Sequence, residues 1–533
     1  MAFARVVLLF SLGGCVNEPS VVGGSAEPGP VVGGLIAPGC GWFEDMTART
    51  GVHVRHDRAP FGGDGSSVAA EDLDGDGDVD LVFTQGMNNP ARLYRNDGAW
   101  RFTEVGPLPN GVGVGVGDLD GDGDPDLVLT DMGRQHLLEN LGEMRFRDRS
   151  AEAGVEVPGS DALPEPTTAA LAADLDGDGD LDLYFAQRAR SRAYRNDGAW
   201  RFADASEAWG IPARNASSTY APAYFDATGD GVADLFVPID TDTVSFDAAE
   251  PAPAREGDQL LVARRDAAGF AGFRDEAAAR GLGGARSSMG VIVADFDGDA
   301  RSDIYVSNIG ANPLFRALGD GTYAASTTHG VLAVTRTDAG PCAGRVRDRE
   351  CLISSWGSAL FDADLDGDDD LVIAIDGLRQ RLGQLHFERL ADGAWRQRPS
   401  CLPPTHGLGL VAADLDGDGA LDLVETTNGG PAAILRNRAA PRGRWLRVTL
   451  RGHAGNPRGV GAAVTARRAA GPPVTRWVGA HGCAYCTPAL EAWFSAADDA
   501  PVDLEVRWPS GARSTAPAVR PGRAVTLEEP AAP

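Results

Sequence analysis

No lysine occurs anywhere in the 533 residues, and all 48 basic residues are arginine. A Schiff-base lysine, a phosphate-loop lysine and a Ser-Lys dyad are therefore excluded. Cysteine is scarce, at seven. Beyond the N-terminus, no segment reaches the roughly 20 consecutive apolar residues of a membrane helix. There is no GxSxG elbow and no glycine-rich phosphate loop. Positive charge is outweighed, 48 basic against 76 acidic residues, for a formal net charge of −28. Nucleic-acid binding, which needs a basic face, is disfavoured.

The chain is rich instead in aspartate placed in one pattern. Asp72, Asp74, Asp76 and Asp80 stand at positions 1, 3, 5 and 9 of a loop, with Gly77 at position 6. Oxygens at that alternation, with a glycine for the sharp turn, suit one hard cation such as calcium. The loop returns as Asp118, Asp120, Asp122 and Asp126, and as Asp174, Asp176, Asp178 and Asp182. Weaker copies follow: Asp226, Thr228, Asp230 and Asp234, then Asp295, Asp297, Asp299 and Asp303 with Ala300 in the glycine place. The last two are Asp362, Asp364, Asp366, Asp370 and Asp414, Asp416, Asp418, Asp422. The expectation is five to seven structural calcium ions, which at seven would halve the formal charge. Magnesium fits less well, because it sheds water reluctantly.

These are not EF-hands. An EF-hand takes a bidentate Glu at position 12 and flanking helices. Position 12 here is Phe83, Leu129, Phe185, Val237, Val306 and Ile373, and only Glu425 matches. Each loop runs into an apolar strand-like segment such as LVFT or LYFA. A full unit adds a strand near Leu93-Tyr94, an Asn96-Asp97-Gly98 hairpin turn and a strand near Trp100 and Phe102. Four short strands per unit, seven times over, is the pattern of a seven-bladed, all-β propeller. Small residues before each loop, as in GVGVGVG before Asp118, suit an innermost strand at a crowded channel.

The outermost strand has an aromatic residue, a carboxylate two later, then a glycine and an aliphatic residue. Phe146, Phe202 and Phe273 open clear cases; Phe102 and Tyr323 are weaker, and Phe387 is doubtful. The seventh unit lacks one, while an unattached copy, Phe43-Glu44-Asp45 followed by Gly51-Val52, stands at the N-terminus. That copy is expected to complete the last blade and close the ring, removing two unpaired sheet ends.

The boundaries expected are a signal segment 1–15, a Gly/Pro-rich tether 16–39, the propeller 40–438 and a small β domain 439–530. The start, MAFARVVLLFSLGGC, has one arginine and a short apolar run ending at Cys15. It resembles a bacterial lipobox, which implies cleavage before Cys15 and lipidation of its thiol; the alternative is an ordinary secretory signal. Six cysteines then remain for an oxidising compartment. Cys40 with Cys401 and Cys342 with Cys351 are candidate pairs among 15 pairings. Cys483-Ala-Tyr-Cys486 reads as a short structural disulfide, since only His481 stands near as a further zinc ligand.

The loops resemble the FG-GAP or VCBS-type calcium repeats of integrin-like propellers. The C-terminal unit resembles the ASPIC/UnbV domain through Trp445-Leu446-Arg447-Val448, Asn456-Pro457-Arg458-Gly459-Val460-Gly461-Ala462 and Val506-Arg507-Trp508-Pro509-Ser510-Gly511. The pairing is similar to the architecture of the cartilage acidic protein family and its bacterial relatives. The chain departs from that pattern at Cys486-Thr487 and Trp493-Phe494-Ser495, where Ser-Gln and Phe-Gly-Leu-Gly are expected. The resemblance implies binding or adhesion more than catalysis. The expected protein is exported, as an outer-membrane or cell-surface lipoprotein or in periplasmic or secreted form. It is expected to be a monomer that meets the membrane only through its lipid and binds a protein or glycan. The alternative is a hydrolase of polysaccharide or phosphoester on the same ring, because paired carboxylates are abundant. A carbohydrate-binding module is a third reading.

Overall fold

The computed structural model describes residues 41–56, 65–131, 134–155, 167–187, 190–212, 218–241, 257–326, 353–377, 383–400, 402–439, 445–453, 455–469, 471–479 and 482–531. Cys15, Cys40, Cys342, Cys351, Cys401, His481 and the tether 16–39 lie outside the described residues.

Apolar runs on either side of each acidic loop pair as antiparallel strands, because the loop reverses the chain within nine residues. In the first repeat Val68–Glu71 pairs with Asp80–Phe83, then Gly86–Asn96, then Phe102–Gly111. Seven sheets of this order occur among the described residues. Their inner strands are Val68–Glu71, Gly113–Gly117, Thr167–Ala173, Ala223–Phe225, Ser288–Ala294, Ile353–Phe361 and Gly407–Ala413. The architecture is an all-β propeller, and the sheets are called blades one to seven below in chain order of their inner strands.

Hydroxyls link one blade to the next. Thr84 Oγ1 of blade one donates to the Val112 carbonyl ahead of blade two (2.7 Å), and Thr130 Oγ1 of blade two to Thr167 of blade three (2.8 Å). Ser307 Oγ of blade five donates to Trp356 of blade six (2.7 Å). Thr426 Oγ1 of blade seven donates to the Ser66 carbonyl ahead of blade one (2.6 Å), so the same device closes the ring. A second closure is the expected one. Phe43–Asp45 pairs antiparallel with Ala433–Asn437, placing Phe43 opposite Asn437 and Asp45 opposite Leu435.

The outer-strand signature has a physical basis. The carboxylate two residues after the aromatic accepts the backbone N–H two further on: Thr47 on Asp45, Ser150 on Asp148 and Ser206 on Asp204, each at 2.9 Å. This starts a helical turn, which ends on a left-handed glycine, Gly51 or Gly154. The aliphatic residue that follows is buried, as Val52, Val155, Ile211 and Leu282 show. Phe387 is a correction: it lies in the third strand of blade six, Gln384–Arg389, and the outer strand is Trp395–Arg398.

Inner-strand glycines are set by crowding. A Cβ on Gly115 would lie 2.9 Å from the Ala170 carbonyl oxygen of the neighbouring inner strand.

Beyond the propeller, two small sheets form. One joins Ala492–Ser495, Trp445–Arg451 and Arg523–Glu528; the other joins Val474–Trp477, Ala463–Arg467, Val502–Arg507 and Arg513–Val519. This C-terminal unit shares an apolar core with the propeller, in which Val448, Val464 and Trp508 belong to one cluster with Leu183, Tyr184 and Leu235.

The segment between these sheets leaves its own domain. Cys486–Thr487 pairs in parallel with Val68 and Ala69, as a fifth strand on blade one. Val291 N donates to the Gly482 carbonyl (2.7 Å), Val68 N to Tyr485 (3.1 Å), and Thr487 Oγ1 to Val114 (2.6 Å). Tyr485 is buried, with its ring 5.8 Å from Tyr220 and 5.7 Å from Trp356. One cluster holds Ala484 and Tyr485 with Val112, Tyr220, Met289, Trp356 and Leu408, residues at the inner strands of five blades. This segment therefore fills the propeller axis. Cys483 and Cys486 are disulfide-bonded within it, Cα atoms 5.2 Å apart. The expected structural disulfide is present, in a place the sequence did not suggest.

Candidate metal centres

Each acidic loop connects an inner strand to its neighbour, so all seven open on one face of the ring. The loop's turns are made by its own carboxylates. In the first loop the Asp72 carboxylate accepts the N–H of Gly75 (2.8 Å) and of Gly77 (3.0 Å), and Asp76 accepts that of Asp78 (2.9 Å). The second and third loops repeat this at Asp118 and Asp174. At Ala300 the fifth loop adopts φ +69°, the conformation glycine takes elsewhere at this position.

Position 9 holds more of the fold than its ligand spacing suggests. Asp80, Asp126, Asp182, Asp234, Asp303, Asp370 and Asp422 are all buried. Each accepts a backbone N–H group from its own loop and one from the third strand, and Asp234 takes a second from its loop, at Thr228. For Asp422 these are Leu415 at 3.0 Å and Asn437 at 2.7 Å. For Asp126 they are Leu119 at 2.7 Å and Asn140 at 2.8 Å. Burial nonetheless pushes these carboxyls up, against the lowering effect of the N–H groups. Asp126 and Asp182 reach about 8, and Asp370 and Asp422 about 9. Burial also raises Asp362 to about 8, with Asp369, Asp366 and Asp364 adding repulsion.

Sequence reasoning missed the asparagine that ends the third strand. Asn96 Nδ2 donates to Val79 of its own loop (3.1 Å) and to Leu415 of the preceding blade's loop (3.0 Å). Asn140, Asn196 and Asn437 do the same. Trp100 Nε1 reaches Asp416 of the preceding loop (2.8 Å), and Trp200 Nε1 reaches Asp120 (3.0 Å). The stretch YRNDGAWRF, which stands at 94–102 and again at 194–202, carried both signals, but only as an Asn and a Trp at fixed offsets.

At least five loops bring three carboxylate oxygens within 4.8 Å of one another. Among them are Asp72, Asp74, Asp80; Asp118, Asp120, Asp122; Asp174, Asp176, Asp182; Asp295, Asp297, Asp299; and Asp362, Asp364, Asp370. These clusters can hold metal ions. The donor set fits a hard cation, being all oxygen. Asp364 Oδ1, Asp368 Oδ1, Asp416 Oδ1 and Thr228 Oγ1 are buried without a hydrogen-bond partner among the described residues. Such groups are costly unless something else meets them. The first three oxygens also belong to carboxyls that burial raises, and neighbouring carboxylates raise them further. Glu425, the lone match to an EF-hand ligand, points elsewhere, accepting from Gln384 Nε2 (3.0 Å) and Thr405 Oγ1 (3.1 Å).

The C-terminal unit lies against this same face. Arg476 Nη2 donates to both carboxylate oxygens of Asp369 (2.6 and 2.7 Å), and Arg468 donates to the Gly367 carbonyl (2.9 Å). Trp477 Nε1 donates to Ser302 (3.2 Å), and Arg507 donates to Asp226 (2.7 Å). The buried Glu71 accepts from Leu490 N (2.7 Å) and lies 3.6 Å from Arg458.

Two parts of the chain match known protein families. Residues 72–129, 118–185 and 174–237 match the FG-GAP-like repeat, and residues 452–533 match ASPIC and UnbV. Cartilage acidic protein 1 of Homo sapiens is 27% identical over 303 residues, 46% of this chain and 44% of that protein. The chain thus spans less than half of that relative's length. Among solved structures, an Agrocybe aegerita lectin described as recognising non-reducing terminal N-acetylglucosamine superposes with a TM-score of 0.37 at 16% identity, over 74% of this chain and 97% of the lectin. Streptogramin B lyase superposes with a TM-score of 0.39 at 11% identity, over 71% and 95%.

Proposed function

We propose that this chain, built of FG-GAP repeats and an ASPIC/UnbV domain, is a calcium-stabilised binding protein of the cell envelope, displayed through a lipid on Cys15 or secreted. Calcium is the ion that suits five or more all-oxygen loops, and its role is structural. The carrying observation is the set of buried, unmatched oxygens at Asp364, Asp368 and Asp416, crowded by raised carboxyls. A cation there would satisfy them and offset the mutual repulsion.

Because Tyr485 fills the axis, ligand recognition belongs to the outer surface and not to an open channel. The ligand class is a protein or a glycan. A catalytic metal would need an open coordination position beside a base, and the position-9 carboxylates are instead occupied in tying each loop to the third strand of its own blade.

The test is thermal unfolding of metal-free chain with and without added calcium. The expected gain is on the order of 10 °C or more, given about 2.7 kcal/mol per site at a hundredfold excess over Kd. Identical melting in both conditions would sink the calcium reading. For the binding role, a panel of immobilised glycans and envelope proteins should yield saturable, calcium-dependent retention. Turnover of a polysaccharide or phosphoester by purified protein would favour the hydrolase instead.

A further inference from the structure

The fourth loop differs from its siblings in what meets its first carboxylate. Among the described residues, the position-1 aspartates Asp72, Asp118, Asp174, Asp295, Asp362 and Asp414 are hydrogen-bonded by backbone N–H groups alone. Asp226 takes the same N–H groups, from Gly229 (2.7 Å), Asp230 (3.0 Å) and Gly231 (2.9 Å). It also takes the guanidinium of Arg507, Nη1 to Oδ2, at 2.7 Å.

That guanidinium comes from the other domain, 281 residues along the chain. It lies over the ring of Trp477, whose centroid is 5.4 Å from the Arg507 Cζ. Trp477 is itself buried and tied to Ser302 of the fifth loop. The Asp226 side chain is 5% exposed and that of Arg507 26%. Arginines also pair with carboxylates in other loops, as Arg436 does with Asp416 and Asp418 and Arg316 with Asp297. Those belong to the same blade as the loop they touch, are 40% and 46% exposed, and leave position 1 alone. The fourth loop has also lost a charge at position 3, where Thr228 replaces aspartate.

We infer that the Arg507 guanidinium takes the place of the cation in the fourth loop, so that this loop is the docking socket of the C-terminal domain and not a calcium site. The inference rests on calcium occupying the other loops. A divalent ion and a guanidinium on one carboxylate oxygen repel each other, and arginine arrives prepaid in position by Trp477. The unmatched Thr228 hydroxyl leaves the loop able to accept an ion once the guanidinium is removed. Blade four would then be joined to the C-terminal domain whether or not calcium is present.

The experiment counts calcium bound per full-length chain, by equilibrium dialysis and atomic emission, for the parent, Arg507→Gln, Asp226→Asn and the double variant. Arg507→Gln should gain one ion over the parent. Asp226→Asn alone should lose none, and the double variant should show no gain. An unchanged count in Arg507→Gln, with ions present in the parent, overturns the inference while leaving the calcium reading intact. Zero ions in every variant sinks the calcium reading as well. Should Arg507→Gln fail to fold, Asp226→Asn decides: the loss of one ion overturns the inference, and no loss supports it. Arg507→Lys, which keeps the charge, should behave as the parent.

Discussion

The fourth and sixth loops share a ligand spacing and differ in what surrounds it. In the sixth, Asp362, Asp364, Asp366 and Asp370 are joined by Asp368 and Asp369. Asp364 Oδ1 and Asp368 Oδ1 are left unmatched, and Asp362 and Asp370 are pushed up to about 8 and about 9. In the fourth, three carboxylates and a threonine stand beside Arg507. The C-terminal domain touches both loops, but at the sixth its Arg476 and Arg468 engage Asp369 and the Gly367 carbonyl, outside the 1-3-5-9 set. Equal spacing therefore does not mean equal electrostatics. The same turn can be an anion cluster awaiting a cation, or an anion already paired.

The widest way to break this comparison is metal removal. If carboxylate repulsion dominates the sixth loop and its kin, the metal-free chain should melt on the order of 10 °C or more below the calcium-loaded one. Limited proteolysis should then cut first near loops one, two, three, six and seven, and later near the fourth. Earliest cutting at the fourth would erase the distinction.

Acidity gives the next largest effect. A buried carboxyl whose pKa is raised on folding keeps its proton in the folded state where the unfolded chain has lost it. Its contribution is present in full below the unfolded value, near 4, and is lost as pH rises through the folded value. With Asp370 and Asp422 at about 9, the metal-free chain should lose stability steadily from about pH 4 to pH 9. Saturating calcium should flatten that slope, since bound cation favours the ionised form. Urea melts across this range, with and without calcium, check both slopes.

Single substitutions sharpen the comparison further. Asp362→Asn should raise the melting temperature of the metal-free chain at pH 8, by relieving repulsion, and lower that of the loaded chain. Asp226→Asn should lower both, by about 1–3 kcal/mol, because it weakens the bond to a charged, partly buried arginine. A sign change at Asp226 as well would show that the two loops are alike. The smallest effect is expected in the fifth loop. Ala300→Gly relieves a left-handed alanine and should stabilise by about 1 kcal/mol, read in either metal state.

Much of this architecture was legible because its signals are local. Ligand spacing, an Asn-Asp-Gly turn and an aromatic-x-Asp strand each act within a dozen residues, so each repeat announces itself. Ring closure was legible for a related reason: a spare outer strand at the N-terminus answers a unit that lacks one, and Phe43–Asp45 fills the gap. Phe387 misled because aromatic residues occupy third strands as readily as fourth. The position-9 aspartates read as ligands, while their double acceptance from two strands depends on a neighbour 14 to 29 residues away. The Asn96 and Trp100 contacts to blade seven cross more than 300 residues, and no periodicity encodes them.

By itself, the sequence determined the repeat, its strand order and the oxygen sets, because backbone turns and alternating apolar residues obey short-range rules. Tertiary structure alone decided which oxygens are left unmatched, which carboxylate meets Arg507, and that Tyr485 plugs the axis. Those outcomes depend on burial and on pairs of charges brought together from distant parts of the chain. Electrostatic cost is a property of the final surroundings, not of spacing along the backbone.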